Sequence, residues 1–110
     1  MKVWNKAHEL VMLVYQHTRS FPSDEKFGLT SQIRRAAVSV ASNIVEGFRR
    51  NSFKVSKNFY EIADGSLEEL RYQLFLSRDL DYIKLEEYQK TIRLSEEVSK
   101  MLHAWMKSQR

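Results

Sequence analysis

The amino-acid sequence predicts an all-α fold, an antiparallel up-down-up-down four-helix bundle. Apolar residues recur at three- and four-residue steps along most of the chain, which is the spacing of one helical face. Only 1 Pro and 3 Gly among 110 residues leave little of the turn chemistry that an all-β domain needs. Short polar breaks divide the chain into four segments, and helices with short connections pack most simply as an up-down bundle. We therefore expect a single domain over residues 1–110.

The first two helices are predicted over about residues 2–19 and 30–50. The apolar face of the first passes through Val3 or Trp4, Ala7, Leu10 or Val11, Val14 or Tyr15, and Thr18. Pro22 ends this helix, since Pro disfavours a helical conformation in the residue before it, and Gly28 marks a second break. Thr30 or Ser31 is expected to cap the second helix.

The second helix has two opposite faces of different character. Its apolar side carries Ile33, Ala37, Val40, Ala41, Ile44 and Phe48. The opposite side is a polar ridge of Gln32, Arg35, Ser39, Asn43, Glu46 and Arg50. Val38 and Val45 widen the apolar arc beyond what a helix with one solvated side needs, so we expect additional buried surface.

The third and fourth helices are predicted over about residues 53–79 and 84–108. The expected buried stripe of the third is Val55, Phe59, Ile62, Ala63, Ser66, Leu70 and Leu74. A second apolar row, Phe53, Tyr60, Leu67 and Leu74, repeats every seven residues beside it. The fourth helix carries Leu85, Tyr88, Ile92, Ser95, Val98, Leu102 and Trp105. The extra apolar surface of the second and third helices either widens the monomer core or forms an oligomer interface.

Gly65 lies inside the predicted third helix, where glycine costs about 1 kcal/mol relative to alanine. We expect a close approach of two helices at this position, because the missing side chain must benefit some contact.

Composition and spacing exclude several function classes. The chain has 0 Cys, which removes disulfides, thiolate metal sites and cysteine nucleophiles and fits a reducing, cytoplasmic compartment. No apolar run reaches the roughly 18 to 20 residues of a membrane span, so no membrane partner is expected. His8, His17 and His103 lie in separate segments without a metal-binding spacing. We therefore predict a binding protein without enzymatic activity, metal or cofactor.

The net charge of +4 is localised. No acidic residue lies between Glu46 and Glu61, and this window holds four basic residues, Arg49, Arg50, Lys54 and Lys57. Arg and Lys at the turn between two helices would cluster at one end of the bundle and suit phosphate oxygens. Interleaved aromatic residues, if exposed, can stack on unpaired bases, and the candidates are Phe53, Phe59 and Tyr60. The alternative is a solvated basic loop above core aromatics.

Arg34 and Arg35 differ in position. Arg35 lies on the polar ridge, where it is a further candidate for a nucleic-acid contact, and Arg34 lies at the edge of the apolar arc. Glu69 of the third helix is expected to form an inter-helix ion pair with one of them. The remaining ridge residues Gln32, Asn43 and Glu46 are expected to be structural polar cross-links, as are Arg34 and Glu69.

Two segments resemble a known family, namely FPSDEKFGLTSQIRRAAVSVASNIVEGF at residues 21–48 and EIADGSLEELRYQL at residues 61–74. They are similar to the 23S ribosomal RNA intervening-sequence proteins, also called four helix bundle proteins, and a looser likeness covers nearly the whole chain. The resemblance implies an antiparallel four-helix bundle and, through related accessory proteins of diversity-generating retroelements, a homopentameric ring that binds nucleic acid. Lys84 departs from the Ser or similar cap that the family suggests before the last helix.

Two functional hypotheses follow. The first is a homo-oligomeric, pentameric protein that binds RNA or another nucleic acid through backbone phosphates without reading sequence. The alternative is an accessory module that docks on a polymerase-like protein such as a reverse transcriptase.

Overall fold

A computed structural model describes residues 1–109. It contains four α-helices, α1 (Lys2–Thr18), α2 (Leu29–Phe48), α3 (Phe53–Asp79) and α4 (Leu85–Ser108), with one turn of 3₁₀ helix at Ser23–Glu25. The predicted all-α four-helix bundle is confirmed, and its principal dimensions are 43 × 25 × 18 Å. Within the described residues, no helix combines the length and apolar character needed to cross a bilayer.

The helices are antiparallel to their neighbours. Between α2 and α3 the paired residues run in opposite directions, because Ser39 lies opposite Ser66 and the preceding turn places Arg35 beside Glu69. Each helix packs on the next in the chain, and α1 packs on α4. The chain therefore passes once around the bundle, which brings the start of α1, the end of α2, the start of α3 and the end of α4 to the same end.

The core lies along the bundle axis. Of the alternatives predicted for the apolar face of α1, the structure buries Val3, Ala7, Leu10, Val14 and Thr18. The largest fully buried aliphatic side chains of the other helices are Ile33, Val40, Ile44, Leu67, Leu70, Leu74, Val98 and Leu102. Burial of each such side chain stabilises the fold by about 1.5–3 kcal/mol.

The predicted buried stripe of α3 was wrong in its first half. Val55 and Ile62 are 44% and 53% exposed, whereas Tyr60 and Leu67 of the neighbouring row are almost completely buried. The reason is that the buried face of α3 also carries small polar side chains: Ser56 donates a hydrogen bond to the carbonyl oxygen of Gly47 at 2.7 Å. The row at seven-residue spacing is therefore core, and from Tyr60 onward it is not available as an oligomer interface.

Two further apolar positions, Phe48 and Leu85, were predicted to be buried and are not. Phe48 is 55% exposed and Leu85 is 56% exposed, because each occupies the terminal residue of its helix, beyond the end of the core. The close approach predicted at Gly65 was also wrong, since a Cβ added there meets no atom within 4 Å. The tight contact occurs instead at Gly47, whose added Cβ would lie 2.4 Å from the ring of Tyr60.

The starts of α2 and α4 use glutamate side chains rather than hydroxyl caps. The Leu29 N–H donates to Glu25 Oε1 at 3.1 Å, so α2 begins before the predicted caps. Glu87 accepts a hydrogen bond from the Lys84 N–H at 3.2 Å. This bond satisfies one of the unpaired N–H groups at the start of α4, so the helix begins at Leu85 without a Ser cap.

Candidate nucleic-acid interface

The candidate site is the end of the bundle at which α2 passes into α3. Residues 49–52 form the turn, and the Ser52 hydroxyl accepts a hydrogen bond from the Val55 N–H at 3.3 Å, which caps α3. Gly47 allows the last turn of α2 to lie directly against the ring of Tyr60. We call this region the basic end, and its exposed or partly paired cations are Lys2, Arg49, Arg50, Lys54, Lys57 and Lys107.

Two of the four cations predicted from the basic window are paired with acids. Arg50 forms an ion pair with the carboxylate of Glu46, and its Nε donates to the Glu46 carbonyl oxygen at 3.0 Å. Lys57 lies 3.7 Å from the carboxylate of Glu61. These acids border the window in sequence, and the four-residue spacing of the helix brings each of them next to a cation inside it. The positive charge of the window is therefore partly neutralised.

Arg49 and Lys54 are the two cations that remain. Both are exposed, and neither has an acidic partner within 4.0 Å among residues 1–109. Lys54 occupies the first turn of α3, a turn without any acidic residue. The helix macrodipole favours negative charge there, so a lysine at this position is locally unfavourable and an anion beside it would be stabilised.

Arg35 does not belong to the basic end. It precedes Arg50 by four helical turns, about 22 Å along α2. Arg35 forms an ion pair with Glu69 of α3, and its Nε donates to the Gln32 carboxamide oxygen at 3.1 Å. Gln73 also donates to Glu69, at 3.1 Å. The side chain of Arg35 therefore links α2 to α3.

The other predicted polar residues form contacts within the bundle. The amide nitrogen of Asn43 donates to the carbonyl oxygen of Ser39 at 2.8 Å, on the face where Ser39 meets α3. Arg34 turns to the opposite side of α2, where its Nε donates to Thr18 Oγ1 at 2.8 Å and its guanidinium lies 4.7 Å from the Tyr15 ring. Arg34 thus joins α2 to α1.

The aromatic residues expected to stack on bases are mostly engaged in the protein. Tyr60 is 2% exposed, so its ring has no free face, and its hydroxyl accepts a hydrogen bond from Trp105 Nε1 at 2.9 Å. Phe59 is half-buried, and the Arg50 guanidinium lies 4.9 Å from its centroid. The exposed aromatic surface is formed instead by Phe48, whose ring centroid lies 6.0 Å from that of Trp105.

Phe48 and Trp105 line an open groove with a volume of about 510 Å³. The remaining lining residues are Met1, Lys2, Val3, Met101, Ala104 and Ser108, which contribute no acidic group. Sequence reasoning missed this groove because its walls come from α1, α2 and α4. The one available signal was position, since Phe48 is the last residue of α2 and Trp105 lies in the last turn of α4.

Two of the three histidines each lie beside a single carboxylate. His17 Nδ1 lies 3.4 Å from Glu87, and His103 Nε2 lies 3.4 Å from Asp64. Burial lowers the pKa of His17, an effect that Glu87 opposes and Lys90 reinforces. Within residues 1–109, no three His, Asp or Glu side chains are grouped so as to hold a metal ion.

Comparison with known proteins places this geometry in a family. The family model described as 23S rRNA-intervening sequence protein matches residues 1–104. A crystal structure of a protein with unknown function from the S23 ribosomal protein family of Bacteroides thetaiotaomicron is similar, with a TM-score of 0.85 and 27% sequence identity. The alignment covers 96% of this chain and 98% of that one. No protein with a curated description matches. The chain belongs to the 23S rRNA-intervening sequence protein family.

Proposed function

We propose that this protein binds nucleic acid by contacting backbone phosphates at the basic end of the bundle. The observation that carries the proposal is the pair of exposed cations Arg49 and Lys54, which flank the α2–α3 turn without an acidic partner among the described residues. RNA is the first polymer to test, because the family is described by 23S rRNA.

The chemistry of these groups suits phosphate. The Arg49 guanidinium is planar and can donate two parallel hydrogen bonds to one phosphate, while Lys54 supplies a point charge. Lys2 lies on the wall of the adjacent groove, and Lys107 is exposed in the last turn of α4, so further positive charge surrounds the turn. Contacts of this kind do not read sequence, and they weaken steeply as salt rises because bound counterions are released.

A charge-reversal pair tests the proposal. The double variant Arg49→Glu, Lys54→Glu removes both unpaired cations from the basic end. The control is Arg19→Glu, Lys26→Glu, which makes the same change in net charge at the opposite end, where both residues are exposed. Binding to a duplex RNA is measured by fluorescence anisotropy over a range of salt concentrations, with circular dichroism as the test of folding.

Loss of two phosphate contacts should make the slope of log K against log salt shallower by about 1.8, taking for the RNA duplex the value of about 0.9 per phosphate of duplex DNA. The control variant should retain most of the affinity and the wild-type slope. A folded Arg49→Glu, Lys54→Glu variant with wild-type affinity would contradict the proposal.

The proposal includes assembly into a homo-oligomeric ring, with five subunits by the family resemblance. Its support in the structure is a narrow apolar strip on the outer face of α3, formed by Val55 and Ile62, which lie two helical turns apart and are 44% and 53% exposed. A ring would repeat the basic end and so raise the avidity of a weak phosphate site. Light scattering on the purified protein gives the subunit number. A protein that stays monomeric would instead leave the strip open to a different protein, such as the polymerase-like partner of the alternative hypothesis.

A further inference from the structure

We infer that the groove beside the basic end holds an unpaired nucleobase, so that the protein prefers single-stranded to double-stranded nucleic acid. In this arrangement the base stacks on Phe48 and Trp105, and its flanking phosphates meet Lys2 and Arg49. The inference rests on the proposed phosphate binding and adds the substrate class.

An aromatic surface is exposed at this place. Phe48 is 55% exposed, although Ile44, one turn earlier on the same face of α2, is completely buried. Its ring is tilted by 40° from that of Trp105 at a centroid separation of 6.0 Å. The two rings therefore contact each other, and a base would lie over their outward surface. Stacking on aromatic side chains is the usual way in which proteins hold single-stranded bases.

This stacking surface is also rigid. The Trp105 indole N–H donates to the Tyr60 hydroxyl at 2.9 Å, and Tyr60 is buried against Gly47. Trp105 is therefore fixed to the core on one side while its ring lines the groove on the other. A preformed surface of this kind loses little conformational entropy when a ligand binds.

The size and charge of the groove also suit a nucleotide. The groove volume of about 510 Å³ lies within the range of about 300–1,000 Å³ that is usual for small-ligand sites. Its lining is apolar except for the cation Lys2 and the hydroxyl of Ser108, and Arg49 follows Phe48 directly in the chain. An apolar floor with a cationic rim complements a nucleotide, whose base is planar and whose phosphates are negative. A paired base would first have to leave its stack, which favours single strands.

The experiment uses Trp105 as the reporter. The chain has 2 Trp, and Trp4→Phe leaves Trp105 as the only one. Trp4 is stacked on His8 away from the groove, at a centroid distance of 5.3 Å, so its replacement should not alter the site. This protein is titrated with a short single-stranded RNA, with the corresponding duplex, and with an oligonucleotide of equal length whose central nucleotides are abasic.

We expect the single strand to quench Trp105 fluorescence and to bind at least about fivefold more tightly than the abasic oligonucleotide, the smallest effect of one stacked base. Phe48→Ala should remove this preference and leave duplex binding unchanged. The matched control is Phe27→Ala, because Phe27 is 89% exposed at the opposite end of the bundle. Its loss should change neither the preference for the intact single strand nor duplex binding.

The outcomes separate this inference from the proposed function. If the abasic and intact strands bind equally and Arg49→Glu, Lys54→Glu still weakens both, phosphate binding stands and the base site is refuted. If neither strand binds, the proposed function fails and the base site fails with it. Trp105 fluorescence that changes with protein concentration alone would show that a second copy fills the groove, and it would also refute the base site.

Discussion

Replacement of Gly47 by alanine should destabilise the protein, whereas the same replacement at Gly65 should stabilise it. Both glycines lie in α-helices, and neither has a positive φ, so backbone conformation does not distinguish them. What differs is the space around the added methyl group. At Gly65 no atom lies within 4 Å, while at Gly47 three ring atoms of Tyr60 lie at 2.4, 2.8 and 3.0 Å.

The magnitudes follow from these distances. Alanine gains about 1 kcal/mol over glycine in a helix interior, and Gly65→Ala should show most of that gain. At Gly47 the Tyr60 ring would have to retreat by more than 1 Å to reach an ordinary carbon contact of about 3.5–4.0 Å. The ring is buried and bonded to Trp105, so it has little room to move. Overpacking costs about 1–3 kcal/mol, and the short distances at Gly47 favour the upper half of this range. Subtracting the gain in helix propensity of about 1 kcal/mol leaves a net loss of about 1–2 kcal/mol.

Urea unfolding followed by circular dichroism measures both variants against the wild-type protein. The two variants should differ by about 2–3 kcal/mol in the free energy of unfolding, or very roughly 10 °C in Tm for a domain of this size. Measurements at two protein concentrations separate folding from association. In a Tyr60→Leu background, where the ring is absent, the cost of Gly47→Ala should shrink. A Gly47→Ala protein as stable as wild type would refute the argument.

Two other predictions concern the opposite end and the outer face. Because burial lowers the pKa of His17 below the ordinary 6.5, the folded state binds fewer protons than the unfolded state as the pH falls past that value. The free energy of unfolding should therefore decrease from pH 7 towards pH 5, and this dependence on pH should be weaker in His17→Gln. If urea unfolding gives the same pH dependence for the variant and the wild-type protein, His17 is not its source. Ile62→Glu should reduce the subunit number measured by light scattering. The control Leu85→Glu changes a residue of similar exposure outside the α3 strip and should not reduce it. An unchanged subunit number in Ile62→Glu would exclude the α3 strip as the contact between subunits.

The sequence was sufficient to predict the four helices, because the sustained apolar spacing and the three breaks between the helices do not depend on how the helices pack. It failed on which residues are buried in the first half of α3, whereas Ala63, Leu70 and Leu74 of the predicted stripe are buried. Two adjacent apolar rows satisfy the same periodicity, and the choice between them in the first half of the helix depends on Ser56, whose small side chain lies buried against Gly47 of α2. A hydropathy pattern counts such residues as polar and so favours the row through Val55 and Ile62, which the structure exposes.

The candidate site was predictable only where it is local. The basic window is a continuous stretch, and even the pairing of Arg50 with Glu46 follows from four-residue helical spacing. The groove could not be inferred in this way. Phe48 and Trp105 are far apart in sequence and meet only because the chain returns α4 alongside the end of α2. The apolar spacing within each helix placed Phe48 and Trp105 in the core. That spacing does not show that the core ends about one turn before these two residues.

Gly47, Tyr60 and Trp105 connect the fold to the proposed function. Gly47 lets the Tyr60 ring lie against the last turn of α2, the Tyr60 hydroxyl satisfies the Trp105 indole, and Trp105 in turn supports the exposed ring of Phe48. A change at Gly47 should thus disturb stability and the stacking surface together. Arg49 lies outside this chain of contacts and is exposed, so its loss should affect binding without affecting stability. Stability therefore depends on Gly47, Tyr60 and Trp105, whereas the proposed phosphate binding depends on the neighbouring Arg49. This division is expected of a binding surface that is supported by a rigid core.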